Sequence, residues 1–270
     1  MMIFKYKDYD IYYEIHGQGD PLLILNGIMM STKSWAEFIE PMSKDNMLIL
    51  VDFLGQGQSS KEYEQFYHDI QVDIVEALLQ HINIPSVNLF GISYGGEIAL
   101  QYTLKHPDRV KKLFLSNTCA NTSYWLEEVG NAWNEATHSG ISYYLTTIPF
   151  IYSPKFFINN REWMENRKNI LVPLFDNKDF VKSMKVLTNS SVGYDVRDKL
   201  DQINVPTMIV GCEYDFVTPF YQQKELNDKI RNSQLVYIHD SGHAIMYEKP
   251  SLFTSLVLGF VNNSKIMYNL

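Results

Sequence analysis

Apolar positions change their spacing several times along the chain, and each change marks an element. Residues 4–6 and 11–15 alternate in character around a Lys-Asp-Tyr-Asp turn, which predicts a β-hairpin. Residues 22–25 are a continuous apolar run, the pattern of a strand covered on both faces, and residues 47–51, 87–90 and 110–116 read as further strands, the first two buried. Helical spacing fills the intervals. Ser31-Thr32 caps a stretch with Trp35, Phe38 and Ile39 on one face, and residues 67–82 carry Ile70, Ile74 and Leu78 as a stripe before Pro85. Residues 97–105 place Ile98 and Tyr102 on one side, and His106-Pro107-Asp108 ends that helix.

This alternation predicts a parallel α/β sheet, but it breaks between 121 and 201. That segment is rich in Tyr and Trp and reads as helical around 125–137, 163–171 and 180–187. Alternation resumes with a strand at 207–210, a helix at 219–230, a strand at 235–238 and a helix at 251–261. The expected organisation is a core domain made of 1–120 and 202–270, with 121–201 inserted as a helical cap, or lid. No internal repeat or low-complexity tract interrupts it.

The chemistry starts at Gly91-Ile92-Ser93-Tyr94-Gly95-Gly96, a G-x-S-x-G sequence between a predicted strand and a predicted helix. A strand that reverses straight into a helix strains its pivot residue, so the neighbours must lack bulk. Ser93 would then stand above the sheet edge at a helix N-terminus, where N–H groups can meet a developing negative charge. The competing reading is an ordinary strand-to-helix turn with a capping serine.

A serine nucleophile needs a base, and the base needs an orienting group. His243 lies in Ser241-Gly242-His243-Ala244 after the last predicted strand, whereas the six other histidines lack such flanking. Gly211-Cys212-Glu213-Tyr214-Asp215 offers two carboxylates after the preceding strand. Asp215 is preferred, because it sits deeper in the loop before Val217-Thr218-Pro219; Glu213 is the fallback, and Asp240 reads as a solvated turn residue. Backbone N–H groups of Tyr94 and of Ile28, in the loop after residues 22–25, would form the oxyanion hole.

Charge and composition narrow the field. A net charge of −8 over 270 residues argues against nucleic acid and against anionic membrane surfaces as partners. No apolar run approaches the roughly 20 residues that span a bilayer, and no secretory signal is visible, so a cytoplasmic location is expected. Cys119 and Cys212 follow apolar runs and read as buried reduced thiols without metal-ligand spacing.

Taken together, the chain resembles the α/β-hydrolase fold superfamily over essentially its whole length. The resemblance rests on Asn26-Gly27, Asp52 to Ser59 as D-x-x-G-x-G-x-S, the Ser93 elbow, His106 to Val110, Gly211 to Asp215, and Gly242-His243. The order Ser93, Asp215, His243 is the order that superfamily uses. Many members have His-Gly where this chain has Asn26-Gly27. With Thr32, Ser34-Trp35 and Gly57-Gln58-Ser59, that departure looks like acyltransferases acting on 3-hydroxyacyl carriers, while Ser116-Asn117-Thr118 looks like enol-lactone hydrolases.

The resemblance implies hydrolysis of an ester, thioester or lactone of a small to medium apolar acyl substrate through an acyl-Ser93 intermediate, without metal or cofactor. Transfer of the acyl group to an alcohol or thiol is the alternative. Cleavage of a carbon–carbon bond and a non-catalytic ligand receptor rank below both. Substrate contacts are expected from Asn26, Gly27, Met29, Tyr124 and Trp125. Few basic residues fall near these positions, so a highly anionic head group is not indicated.

Overall fold

The apolar runs become neighbours in one eight-stranded sheet in the computed structural model, which describes residues 2–62 and 64–263. The strands are β1 (Met2–Tyr6), β2 (Tyr9–His16), β3 (Asp20–Leu25), β4 (Asn46–Val51), β5 (Val87–Ile92), β6 (Val110–Ser116), β7 (Thr207–Tyr214) and β8 (Ser233–Gly242). Their spatial order is β1-β2-β4-β3-β5-β6-β7-β8. The hairpin β1–β2 joins β4 antiparallel, and every later pairing is parallel. The outermost positions of the predicted core segments, Met1 and 264–270, lie outside the described residues.

Eleven helices are described: α1 (Ile39–Ser43), α2 (His68–His81), α3 (Tyr94–Lys105), α4 (Tyr124–Glu135), α5 (Gly140–Ile151), α6 (Pro154–Asn159), α7 (Arg161–Phe175), α8 (Lys178–Ser190), α9 (Phe220–Lys229), α10 (Ile245–Glu248) and α11 (Pro250–Asn262). The sheet sorts its side chains by parity. Leu23, Leu25, Ile49, Leu89 and Leu113 join the core that includes Val75 and Leu78 of α2 and Ile98 of α3. Leu22, Ile24, Leu48, Leu50 and Phe90 join a second core with Trp35, Phe253 and Val257. Continuous apolar runs are therefore required, since each fully buried aliphatic side chain contributes about 1.5–3 kcal/mol and both faces are covered.

Several boundaries differ from expectation. The stretch capped by Ser31 is a 3₁₀ helix over Thr32–Phe38 and becomes α-helical only at α1. A spacing of three serves both geometries, so Trp35 and Phe38 still share a buried side. Between β6 and β7 there are five helices rather than three. α5 has no polar face to set a helical stripe against, and it carries Pro149 near its end, which hides it from periodicity. α7 passes through Pro173 to Phe175, and α3 begins at Tyr94, directly after the elbow.

The ends of this inserted segment run side by side. Thr122 N–H donates to the Tyr194 carbonyl at 2.8 Å, Val196 N–H donates to the Ala120 carbonyl at 2.9 Å, and Asn121 pairs with Asp195. No helix among the described residues is long and apolar enough to cross a membrane. Strand order brings the chemistry together: Leu25 of β3 is opposite Gly91 of β5, and Tyr214 of β7 is opposite Gly242 of β8.

Candidate active site

Ser93 has φ 53° and ψ −124°, a conformation that a residue with a Cβ adopts only when its surroundings dictate it. Its N–H donates to the Ser116 carbonyl at 3.0 Å, which extends the β5–β6 ladder. Its carbonyl accepts from Gly96 N–H at 2.8 Å and from Thr118 Oγ1 at 2.8 Å, which starts α3 at once. The turn is tight enough to exclude side chains on either side. A Cβ at Gly91 would lie 2.5 Å from the Gly95 carbonyl oxygen, and one at Gly95 would lie 2.2 Å from that of Leu25.

At the end of β7, Asp215 collects five donors. Its Oδ1 accepts from the N–H groups of Val217 and Thr218, both at 2.9 Å. Its Oδ2 accepts from Asn117 Nδ2 at 2.8 Å, Thr218 Oγ1 at 3.0 Å and His243 Nδ1 at 2.8 Å. The carboxylate is wholly buried and the imidazole nearly so. With Nδ1–H directed at Asp215, the His243 Nε2 lone pair is the free one.

Glu213, the fallback, faces elsewhere: it accepts from Asp240 N–H at 2.9 Å and sits beside the exposed His239. Asp240 lies within β8 rather than in a turn, at a φ of 52°, and forms a surface ion pair with Lys155 at 2.6 Å. The register of β7 shifts between Cys212 and Tyr214, and Asp215 lies just past the strand end, so the two carboxylates are not held in one strand phase.

Ser93 lies where two cavities meet, sharing Ile28 and Trp133 with it as common walls. One, of about 310 Å³, is lined by Tyr94, Glu97, Glu127, Asn131 and Asn189 among others. The second, of about 100 Å³, holds His243 in a largely apolar wall that includes Met30, Tyr152, Leu171 and Phe175. The Ser93 hydroxyl makes no hydrogen bond among the described residues, and such contacts often tighten only when substrate is present.

Gly27 and Met29 line the smaller cavity, and Ile28 lines both. Gln56 Nε2 donates to the Gly27 carbonyl at 2.9 Å and to that of Ile28 at 3.2 Å, which fixes the loop. Three other residues expected to contact substrate lie outside both cavity walls. Asn26 is buried and fully engaged, donating to the Val51 carbonyl at 2.8 Å and to Gln56 Oε1, and accepting from Trp35 Nε1 at 2.7 Å. Tyr124 and Trp125 line neither cavity: the inward stripe of α4 is Leu126, Val129, Gly130 and Trp133. These two aromatics fall outside that stripe, and Trp125 Nε1 donates to the Phe216 carbonyl at 2.8 Å.

Beneath the elbow lies a buried polar group that sequence reading passed over. Glu97 Oε2 accepts from Ser191 Oγ at 3.1 Å and lies 3.3 Å from His68 Nε2. Burial pushes the Glu97 carboxyl up to about 7, against the pull of Ser191 and Cys119, and pushes His68 down to about 3. Burial thus favours the neutral form of each.

Other residues were missed too. Asn117 and Thr218 hold Asp215. Arg167 of α7 lines the smaller cavity although sequence indicated no base there. Among the described residues, no group of three His, Cys, Asp or Glu side chains is placed to hold a metal ion.

The fold has counterparts among known proteins. A family model for the alpha/beta hydrolase fold matches residues 20–137, and one for TAP-like proteins matches 187–266. The chain is 46% identical to MGS-M2, an alpha/beta hydrolase enzyme from a Medee basin deep-sea metagenome library, with TM-score 0.97 and 100% of both chains covered. It is 26% identical to Est816, described as an N-acyl homoserine lactone degrading enzyme, with TM-score 0.83 and coverage of 96% of this chain and 100% of that one. YisY of Bacillus subtilis, an AB hydrolase superfamily protein, is 27% identical, with coverage of 94% and 96% respectively.

Proposed function

Because the chain belongs to the α/β-hydrolase fold superfamily, we propose that it is a serine hydrolase that cleaves a carboxylic ester, thioester or lactone of a small to medium apolar acyl substrate. The observation that carries this reading is the buried Asp215–His243 pair, 2.8 Å apart, opening on a cavity that Ser93 also lines.

In this reading His243 Nε2 takes the Ser93 proton as Oγ attacks the substrate carbonyl. Asp215 holds the imidazole tautomer and faces the positive charge that forms on the ring. The N–H groups of Ile28 and Tyr94 receive the oxyanion, a role in which losing one donor typically lowers kcat about 10²–10³-fold. His243 then gives its proton to the departing group and draws one from water, which releases the acid and frees Ser93. The helices of 121–201 act as a cap that keeps bulk water from the acyl-enzyme, with Trp133 dividing the two lobes. The lactone-degrading activity described for Est816 supports ester-type chemistry on this scaffold.

A second reading replaces water by an alcohol or thiol acceptor. It draws on the meeting of two cavities at Ser93, which leaves one lobe for the acyl group and one for an acceptor.

Intact-mass measurement after exposure to a fluorophosphonate tests the common core of both readings. The wild type should gain one adduct, and Ser93→Ala and His243→Ala should gain none while melting as folded proteins. A panel of short and long nitrophenyl esters and acyl-CoAs then separates them, since labelling without turnover of any ester points to transfer. An unlabelled wild type would make the protein a ligand receptor, and a labelled His243→Ala would remove the histidine from the mechanism.

A further inference from the structure

The smaller cavity contains one side chain of fixed charge among its lining residues, Arg167, and no acidic side chain. It projects from the same face of α7 as Leu171 and Phe175, four and eight residues on, so it belongs to the wall. Its guanidinium carbon lies 4.8 Å from the Tyr247 ring centroid and 5.8 Å from that of Trp163. Those rings fix the plane of the guanidinium but offer no negative charge to it, and Nε has no acceptor.

A guanidinium carries five donors and cannot shed its charge, so a buried one is ordinarily met by a carboxylate or several carbonyls. Here Nε is buried without an acceptor, and Arg167 forms no ion pair among the described residues; its hydrogen-bond partners are the neutral phenol oxygens of Tyr152 and Tyr247. Glu248, on the same short helix as Tyr247, is already engaged: it accepts from Ser153 N–H at 2.7 Å, Ser153 Oγ at 2.6 Å and Gly242 N–H at 3.1 Å. Desolvation acts against the charge, yet the phenol oxygens of Tyr152 and Tyr247 beside it more than offset that and keep it fully cationic. The other lobe has no cationic side chain in its wall and carries the Glu127 carboxylate. An anion entering the site would therefore be drawn to one side only.

We propose that Arg167 is a substrate-binding residue that receives a carboxylate, so that the esters or lactones taken by this site carry a free carboxylate beside the bond that is cleaved. This rests on the serine-hydrolase reading for the cleavage but not for the binding. A structural role for Arg167, as a cation stacked between two rings, would leave the acceptorless Nε unexplained.

The test compares isosteric neutral and anionic substrates. One arm places the carboxylate on the acid portion (4-nitrophenyl hydrogen glutarate against 4-nitrophenyl pentanoate). The other places it on the alcohol portion (the butyrate ester of lactic acid against isopropyl butyrate). In the wild type at least one arm should favour the anion. In Arg167→Met, kcat/KM for that anion should fall about 10- to 100-fold, the range for a lost charge-assisted hydrogen bond. The neutral partner should stay within about threefold, and Arg167→Lys should recover part of the loss. Glutarate binding, measured by calorimetry on wild type, Arg167→Met and Arg167→Gln, reads the site without turnover, and both variants should lose it.

Equal losses for anion and neutral partner, or glutarate binding that survives both substitutions, would overturn the proposal. Lost glutarate binding in a protein that cleaves no ester and takes no fluorophosphonate would instead leave Arg167 in place and remove the hydrolase reading. Turnover of neutral esters through Ser93 in a wild type that binds no glutarate and favours the anion in neither arm would do the reverse.

Discussion

Replacing Glu97 by Gln should change how stability depends on pH, and the size of the change follows from where the carboxyl lies. Glu97 is the fourth residue after Ser93 along α3, 4% exposed, and shares its oxygens with Ser191, Cys119 and His68. Its pKa rises from 4.5 in the open chain to about 7 in the fold, because burial disfavours the charged form. Between those values the native state binds more protons than the unfolded one, so stability falls as pH rises. The stabilising contribution is complete below about pH 4.5 and is lost as pH climbs through about 7. A displacement of that size corresponds to about 3 kcal/mol.

Glutamine keeps the shape and an acceptor for Ser191 but has no proton to lose. Urea unfolding at pH 5, 6, 7 and 8 should therefore show Glu97→Gln gaining on the wild type with rising pH, by about 3 kcal/mol over the range. His68, held near 3, is neutral in both folded proteins across this window, so its effect cancels in the difference. A difference that stays constant from pH 5 to 8 would show that Glu97 does not titrate there and would refute the burial argument.

Two further substitutions probe the supports of the site. Thr218→Val removes the hydroxyl on Asp215 Oδ2 but leaves the backbone donor, and should cost about 1–2 kcal/mol of stability in urea and slow fluorophosphonate labelling of Ser93. Gly57→Ala introduces a Cβ 1.9 Å from Asp52 Oδ2 at a φ of 42°, and so displaces the carboxylate that accepts from Thr32 and Gln58 N–H. A loss of about 2–4 kcal/mol in thermal or urea unfolding is expected, and an unchanged midpoint would mean that the loop re-forms around the methyl group.

The sheet was legible because burial on both faces leaves one permitted pattern. Leu22 to Leu25 alternate between the two cores, yet all four must be apolar, and no helix of this length reads that way at its ends. The inserted segment was less legible for the opposite reason. α5 is apolar around most of its circumference, with Ile141, Leu145 and Phe150 apolar even on its exposed side, and a helix without a polar face has no phase to detect. α8, with a clear polar face, was located within a few residues.

At the site the same distinction runs through single residues. Gly91, Ser93 and Gly95 are dictated by local sterics, which sequence records directly. Asn117 acts through its amide, but its clearest sign is a φ of 48° just past β6, which sequence leaves open among Asn, Asp and Gly. Arg167 lies in a helix crowded with exposed charge, where Arg161 and Glu165 form a surface pair one turn earlier. Its distinguishing feature is phase: it falls four residues before Leu171 and eight before Phe175, on the face they bury. A cation in phase with an apolar stripe must either snorkel to water, find a partner in the chain, or wait for one from outside. Arg167 stays in the cavity wall with an acceptorless Nε, so the third is the one that the packing favours.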